Sequence, residues 1–343
     1  MFEQHAYNLC RRNLTLSPQG PLEAVKGKSM HKNTGKRHEK PILWGARGSA
    51  FSGQTSSYFI KKGFAYEEIF PANPRYQNEI MLLVGYFVMP DGTLMQDTTD
   101  TIVHFEQHVA DPKLIPHTPL QKAVAWLLGF FGCVLFLKPA INYRWTYMEE
   151  QRAYAEALFA EVMSPHRDLE RQRTDIAPAL ARFSGFLHNL GMSAETIPAT
   201  EASLEVSMDV LDAQFLRHPY LLGGRPSLAD FGLIACFFAH LSRDPHPAAI
   251  MKARAPRVFR WTERMNLAGF VDGEFPEVLP EYFRGDQLPE ALDPFLRYLF
   301  ADCGPEMVGT LASYNVWAQA KMNLPAGTIV PNNPDQPLAH PPP

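Results

Sequence analysis

Cysteine is scarce and scattered. The 343 residues hold four, Cys10, Cys133, Cys236 and Cys303. No two form a CxxC pair, and no His/Cys spacing suggests a zinc site, so no metal is expected. Cys133 and Cys236 lie in apolar surroundings, where a reduced cysteine acts as a small hydrophobe. That fits a reducing compartment such as the cytoplasm. Charge of one sign is lacking too: 32 Lys and Arg face 36 Asp and Glu, for a net charge of −4. No global basic field argues for nucleic acid or an anionic membrane. The longest apolar run, "AVAWLLGFFGCVLFL" at 123–137, is about 15 residues where a bilayer span needs roughly 20, so it reads as a buried helix and not a membrane span.

The first 40 residues are the exception to the even charge, with eight Lys or Arg against three Glu. They hold no apolar segment of signal-peptide type, and "NLTL" after Arg11-Arg12 is unlike a twin-arginine signal. A disordered extension over 1–40, or a true start at Met30, is the expectation. From Pro41 to Val109 strand and helix signals alternate. "PILWGA" reads as a buried strand and Ser49 to Lys62 as a helix, with two lysines at its negative end and Gly63 as the stop. "FAYEEIF" is a second strand. "GYFVM" and "TLMQ" flank the turn "PDG" as an antiparallel hairpin. Asp97-Thr98 opens a helix whose Ile102, Phe105 and Val109 share a face. A further helix within 71–82 would complete a thioredoxin-like unit over 41–110, although that stretch is poorly patterned.

Three prolines in "DPKLIPHTPLQK" place a linker at 111–122. From 123 to 322 strand signals nearly vanish, and an all-α domain is expected. Its clearest helix start is "GGRPSLADFGLIACFFAHL", where Ser227 and Asp230 have the spacing of a capping box and the residues behind are apolar on every face. The Pro- and Asn-rich end, 323–343, reads as a disordered tail. "LDPFLRYLF" and "MVGTLASYNVWAQA" read as two further helices. His104 and His108 have a spacing that metal sites use, but no third ligand is near, so they read as exposed helix residues. "NYRWTY" at 142–147 reads as packing, with a place in a substrate pocket as the other reading.

An α/β unit, a proline-rich linker and an all-helical domain containing "GGRPSLADFGLIA" and "APRVFRWTERM" resemble the cytosolic glutathione transferases of bacterial type. The resemblance covers roughly 41–110 and 120–265, and "VMPDGTLMQDTTDTIVHFE" resembles the family's last hairpin and following helix. It implies glutathione as co-substrate and a small hydrophobic electrophile as partner. It also implies a homodimer, since the family pairs about a two-fold axis. Thr98 matches the residue whose hydroxyl and backbone N–H hold the γ-glutamyl carboxylate at a helix N-terminus, where free N–H groups favour an anion. Asp97 matches the acidic partner of the γ-glutamyl ammonium. Ser49, or alternatively Ser52 three residues on, matches the side chain that faces the glutathione sulfur. Gly85 falls where the family has a cis proline, with Tyr86 beside it at the start of the strand that meets glutathione.

The chemistry this implies is activation of a bound thiol. A free thiol has a pKa near 8.5, and its thiolate is the nucleophile. A serine hydroxyl donating to sulfur at the positive end of a helix favours that thiolate. The product is either a conjugate with an apolar electrophile or a glutathione-dependent reduction, and detoxification is the expected role. A binding or interaction protein that keeps the fold without catalysis is the alternative. Ser227 and Asp230 are expected to be structural.

Overall fold

The computed structural model describes residues 32–33, 39–70, 86–109 and 111–319. Its first element, strand β1 (Lys32–Asn33), lies inside the stretch expected to be without structure. Lys32 and Asn33 pair with Leu94 and Thr93, covering backbone groups that would otherwise stand at a sheet edge. Strand β2 (Ile42–Trp44) feeds helix α1 (Ala50–Lys62), which returns the chain to strand β3 (Glu67–Ile69), parallel to β2. Strands β4 (Tyr86–Val88) and β5 (Thr93–Gln96) form the hairpin, β4 pairs antiparallel with β2, and helix α2 (Thr98–His108) follows. The order across the sheet is β1-β5-β4-β2-β3. A parallel β-α-β unit followed by an antiparallel hairpin and a helix is the thioredoxin-like arrangement. The helix expected within 71–82 lies outside the described residues.

Alternation fixes which residues meet the helices. Ile42, Trp44, Ile69 and Val88 pack on one face of the sheet with Leu94. Leu43, Phe87 and Met95 are paired in register and point to the other face. There Phe87 meets Phe59 of α1 and Phe105 of α2, with ring centroids 4.6 and 5.5 Å apart. Glu106 of α2 is buried below them. It accepts from Tyr58 Oη (2.7 Å), the Leu114 amide (2.7 Å) and Lys62 Nζ (3.0 Å), so the start of the linker is fastened to α1 and α2.

The linker ends earlier than its composition suggests. Pro119 occupies the first turn of helix α3 (Pro119–Val134), where its missing N–H costs nothing. Thereafter come α4 (Leu137–Thr146), α5 (Met148–Met163), α6 (Leu169–Ser184), the short α7 (Phe186–Asn189) and α8 (Ile197–Phe215). Helix α9 (Leu228–Cys236) runs into a π-helical turn at Phe237–Leu241 and is followed by α10 (Pro245–Arg254) and α11 (Pro256–Met265). Pro119–Thr146, α3 and α4 end to end, is long and apolar enough by length and composition to cross a bilayer, and more than half of its most apolar window is buried in the protein. That burial comes partly from glycine. A Cβ on Gly132 of α3 would lie 2.2 Å from the Gly232 carbonyl carbon of α9, so the two backbones touch where they cross.

Residues His31–Phe295 make one compact unit. The described part of the second begins at Leu296, within helix α12 (Asp293–Gln319). The two helices expected here are one. Gly304-Pro305 reads as a break, yet Pro305 sits inside the helix and forgoes one backbone hydrogen bond.

Candidate functional site

Trp44, Tyr86 and Gln96 stand opposite one another across β2, β4 and β5. β2 and β5 end at this row, and β4 begins there. The turn 45–48 that leads to Ser49 and the Asp97-Thr98 step therefore leave the sheet at the same end. With strands about 4.8 Å apart, Trp44 and Gln96 are separated by about 10 Å. Tyr86 is the middle member of the row. Gly85 lies outside the described residues.

Ser49 and Ser52 have separate tasks. Ser49 is the N-cap of α1, in extended conformation, and its hydroxyl oxygen accepts from the Ser52 amide at 3.5 Å. A hydroxyl carries two lone pairs and one hydrogen, so accepting this bond leaves the O–H of Ser49 able to donate. Ser52 is buried at 1% exposure and turned inward, its hydroxyl accepting from the Ala46 amide at 3.2 Å. It braces the turn from below, and its oxygen is committed to that amide.

Asp97 caps α2, accepting from the Asp100 amide at 2.9 Å, with a backbone φ of +83° that few non-glycine residues adopt. Thr98 follows, buried, and its hydroxyl donates to Gln54 Oε1 at 2.5 Å. This differs from the expected role, in which the Thr98 hydroxyl itself faces a carboxylate. Its hydrogen is given to Gln54, leaving the backbone amides of the helix start for an anion. Gln54 lies five residues beyond Ser49 on α1, about 7.5 Å along the axis. It also accepts from Cys133 Sγ at 3.4 Å, while its buried Nε2 has no hydrogen-bond partner among the described residues. The starts of α1 and α2 are thus joined through one amide. Nothing in the sequence marks Gln54, since a glutamine within a helix carries no positional signal.

Residues 194–264 match the family described as glutathione S-transferase, C-terminal domain. Over this segment the chain is similar to the C-terminal domain of glutathione S-transferases. The match spans α8 to α11, about a fifth of the chain, and contains the capped helix start at Ser227. Among solved structures the chain is similar to the beta-etherase LigF of Sphingobium sp. strain SYK-6, at 16% identity over 69% of this chain and 98% of that one, with a TM-score of 0.43. It is also similar to a glutathione S-transferase of Rhodospirillum rubrum F11, at 14% identity over 74% and 99%, with a TM-score of 0.41. A glutathione S-transferase of Methylobacterium radiotolerans JCM 2831, in complex with glutathione sulfonate, shares 18% identity over 73% and 99%, with a TM-score of 0.37. No curated protein matches the sequence.

At the heart of this matched segment Asp230 is fully buried. One oxygen accepts from the Ser227 amide (2.9 Å) and hydroxyl (3.1 Å), the other from the Leu221 amide (3.0 Å) and Trp261 Nε1 (3.2 Å). Burial still pushes its pKa up to about 6, against the pull of those donors. The capping box is therefore the visible corner of a larger knot joining α9 to α11 and to the approach at Leu221. Arg144 of α4 is the other polar centre that sequence reasoning passed over. It is buried, forks onto Asp244, and reaches the turn before Ser49. Its partner lies 100 residues away, and no spacing rule connects them. His104 and His108 stack on each other 4.3 Å apart. Among the described residues no group of three or more His, Cys, Asp or Glu side chains is placed to hold a metal.

Proposed function

We propose that the protein binds glutathione along the row of Trp44, Tyr86 and Gln96, its γ-glutamyl end at Asp97-Thr98 and its sulfur beside Ser49. The observation that carries this reading is the shared sheet end, from which two helix N-termini follow strand ends about 10 Å apart. One N-terminus suits the carboxylate; the other suits a thiolate, because unpaired N–H groups and the helix dipole favour negative charge. The Ser49 hydroxyl caps with its oxygen and donates its hydrogen to sulfur, lowering the thiol pKa without becoming a covalent nucleophile. Gln54 Nε2, a buried donor with no acceptor among the described residues, adds to the case for an anion near Thr98, since such a group left unpaired costs about 1–3 kcal/mol. The activated thiol attacks an apolar electrophile or drives a glutathione-dependent reduction. Detoxification, a reducing cytoplasmic setting and a homodimer belong to the same proposal, as does the division into an α/β domain over 41–110 and a helical domain after the linker.

A second reading, a binding protein without catalysis, is favoured by one fact. The hydroxyls of Ser52 and Thr98 are already engaged by the protein itself. Retention on immobilised glutathione, with elution by free glutathione, is expected under both readings. Turnover of a thiol-reactive apolar electrophile separates them. Absence of retention, together with no thermal shift at millimolar glutathione, sinks the glutathione proposal. At a concentration 100 times Kd the shift corresponds to about 2.7 kcal/mol.

A further inference from the structure

The turn that delivers Ser49 is held from the helical side by one buried guanidinium. Arg144 Nε donates to Asp244 Oδ2 and Nη2 to Asp244 Oδ1, both at 2.8 Å. Nη2 also donates to the Ala239 carbonyl at 2.9 Å. Nη1 donates to the Gly48 carbonyl at 2.9 Å and faces His240 Nε2 at 3.4 Å. Those contacts account for all five N–H donors of an arginine. Four of them are fixed by the helical domain, and the fifth is offered to the residue before Ser49.

The surroundings make that placement rigid. Ala239 and His240 belong to the π-helical turn Phe237–Leu241, a distortion often found at functional sites. His240 is buried, and its pKa is pushed well down by that burial and then by Arg144, which leaves Nε2 as a neutral acceptor. Gly48 itself is crowded, since a Cβ there would lie 2.5 Å from Leu158 Cδ2.

Stability alone gives a poor reason for this arrangement. Removing an arginine and an aspartate from water costs several kcal/mol per ion, and a well-packed apolar pair of similar volume often does as well or better. What the ion pair supplies is direction. We infer that Arg144 is a positioning residue for Ser49: the helical domain, through the Arg144–Asp244 pair, fixes the turn whose next hydroxyl meets the thiol. This rests on the reading of the Ser49 end as the thiol site.

The test compares the full-length protein with Arg144→Lys, Arg144→Met and Asp244→Asn, each checked for cooperative unfolding. Glutathione affinity is measured first, then kcat with an apolar electrophile, then the pH titration of bound glutathione by thiolate absorbance. A lysine keeps the charge but cannot reach Asp244, Ala239 and Gly48 together, so Arg144→Lys should fail almost as fully as Arg144→Met. The expected result is Kd within about threefold of the parent and kcat lowered on the order of 10- to 100-fold, the scale of a small misplacement. The bound thiol pKa should rise by about one unit, a tenfold shift of the thiol–thiolate equilibrium. Folded variants with an unchanged thiol titration and unchanged kcat overturn the inference while leaving the glutathione reading intact. A parent protein that binds no glutathione overturns both. Should Arg144→Met not fold, Arg144→Lys and Asp244→Asn decide the matter by the same readouts.

Discussion

Two serines three positions apart can be told apart by burial and by the amide each oxygen accepts from. Ser52 gives its oxygen to the Ala46 amide inside the protein, so Ser52→Ala leaves a buried N–H without an acceptor. A loss of about 1–3 kcal/mol in unfolding free energy is expected, with little change in turnover. Ser49→Ala should do the reverse. Its cap bond is long at 3.5 Å, so the stability cost falls at the low end of the cap range, about 0.5 kcal/mol. Turnover should fall on the order of 10²-fold, the scale of one lost donor at a developing charge, with glutathione affinity nearly unchanged. Equal losses of affinity and turnover in Ser49→Ala would reduce it to a cap. The positions of Ser49, Asp97 and Ser227 were legible because helix starts select short polar side chains. Gln54 and Arg144 were not, because their meaning comes from partners 44 and 100 residues away.

Helix α1 and the hairpin were legible from local chemistry: a cap, two basic residues, a stop glycine, and a turn tripeptide between alternating strands. The contact between α3 and α9 was not, because a glycine inside an apolar helix looks the same whether it meets a side chain or another backbone. Gly132 and Gly53 make this a measurable contrast. A methyl at Gly132 would meet backbone atoms of α9 at 2.2–2.5 Å, and backbone cannot swing aside. Gly132→Ala should therefore cost more than the usual 1–3 kcal/mol of overpacking. A methyl at Gly53 of α1 would lie 3.5 Å from Phe238 and 3.8 Å from Ala239, ordinary contact distances. There the gain in helix propensity wins, and Gly53→Ala should stabilise by about 0.5–1 kcal/mol. Urea midpoints at constant slope decide both. Similar effects for the two variants would mean that α3 and α9 do not cross through their glycines.

The α/β half and the helical half are joined by buried polar contacts as well as by apolar packing, and one of these titrates. Ser57 of α1 donates to the Met265 carbonyl at 2.8 Å. One turn on, Lys61 donates to Tyr220 Oη at 2.9 Å and to the Gly269 carbonyl at 2.7 Å, with its ammonium 5.2 Å from the Tyr220 ring. Burial, and then the nearby Arg264 charge, bring its pKa down to about 7, while Asp230 and Asp272 pull the other way. In the unfolded chain the same amine titrates at its ordinary value of 10.5. Between these values the unfolded state binds more protons, so this group makes the fold more stable as pH rises from about 7 toward 10. Below pH 7 both states are charged, and the slope vanishes. Lysine deprotonation contributes at most about 1.4 kcal/mol per pH unit. Tyrosines ionising in the unfolded chain oppose it near pH 10, so the informative quantity is a difference. The unfolding free energy of the parent minus that of Lys61→Met, from urea titrations at pH 6, 7, 8 and 9, should be flat up to about 7 and then climb. Parallel curves over that range would mean that Lys61 keeps its proton in the fold, held by Asp230 and Asp272 against burial. The join between the two halves would then be an ion cluster and not a neutral amine.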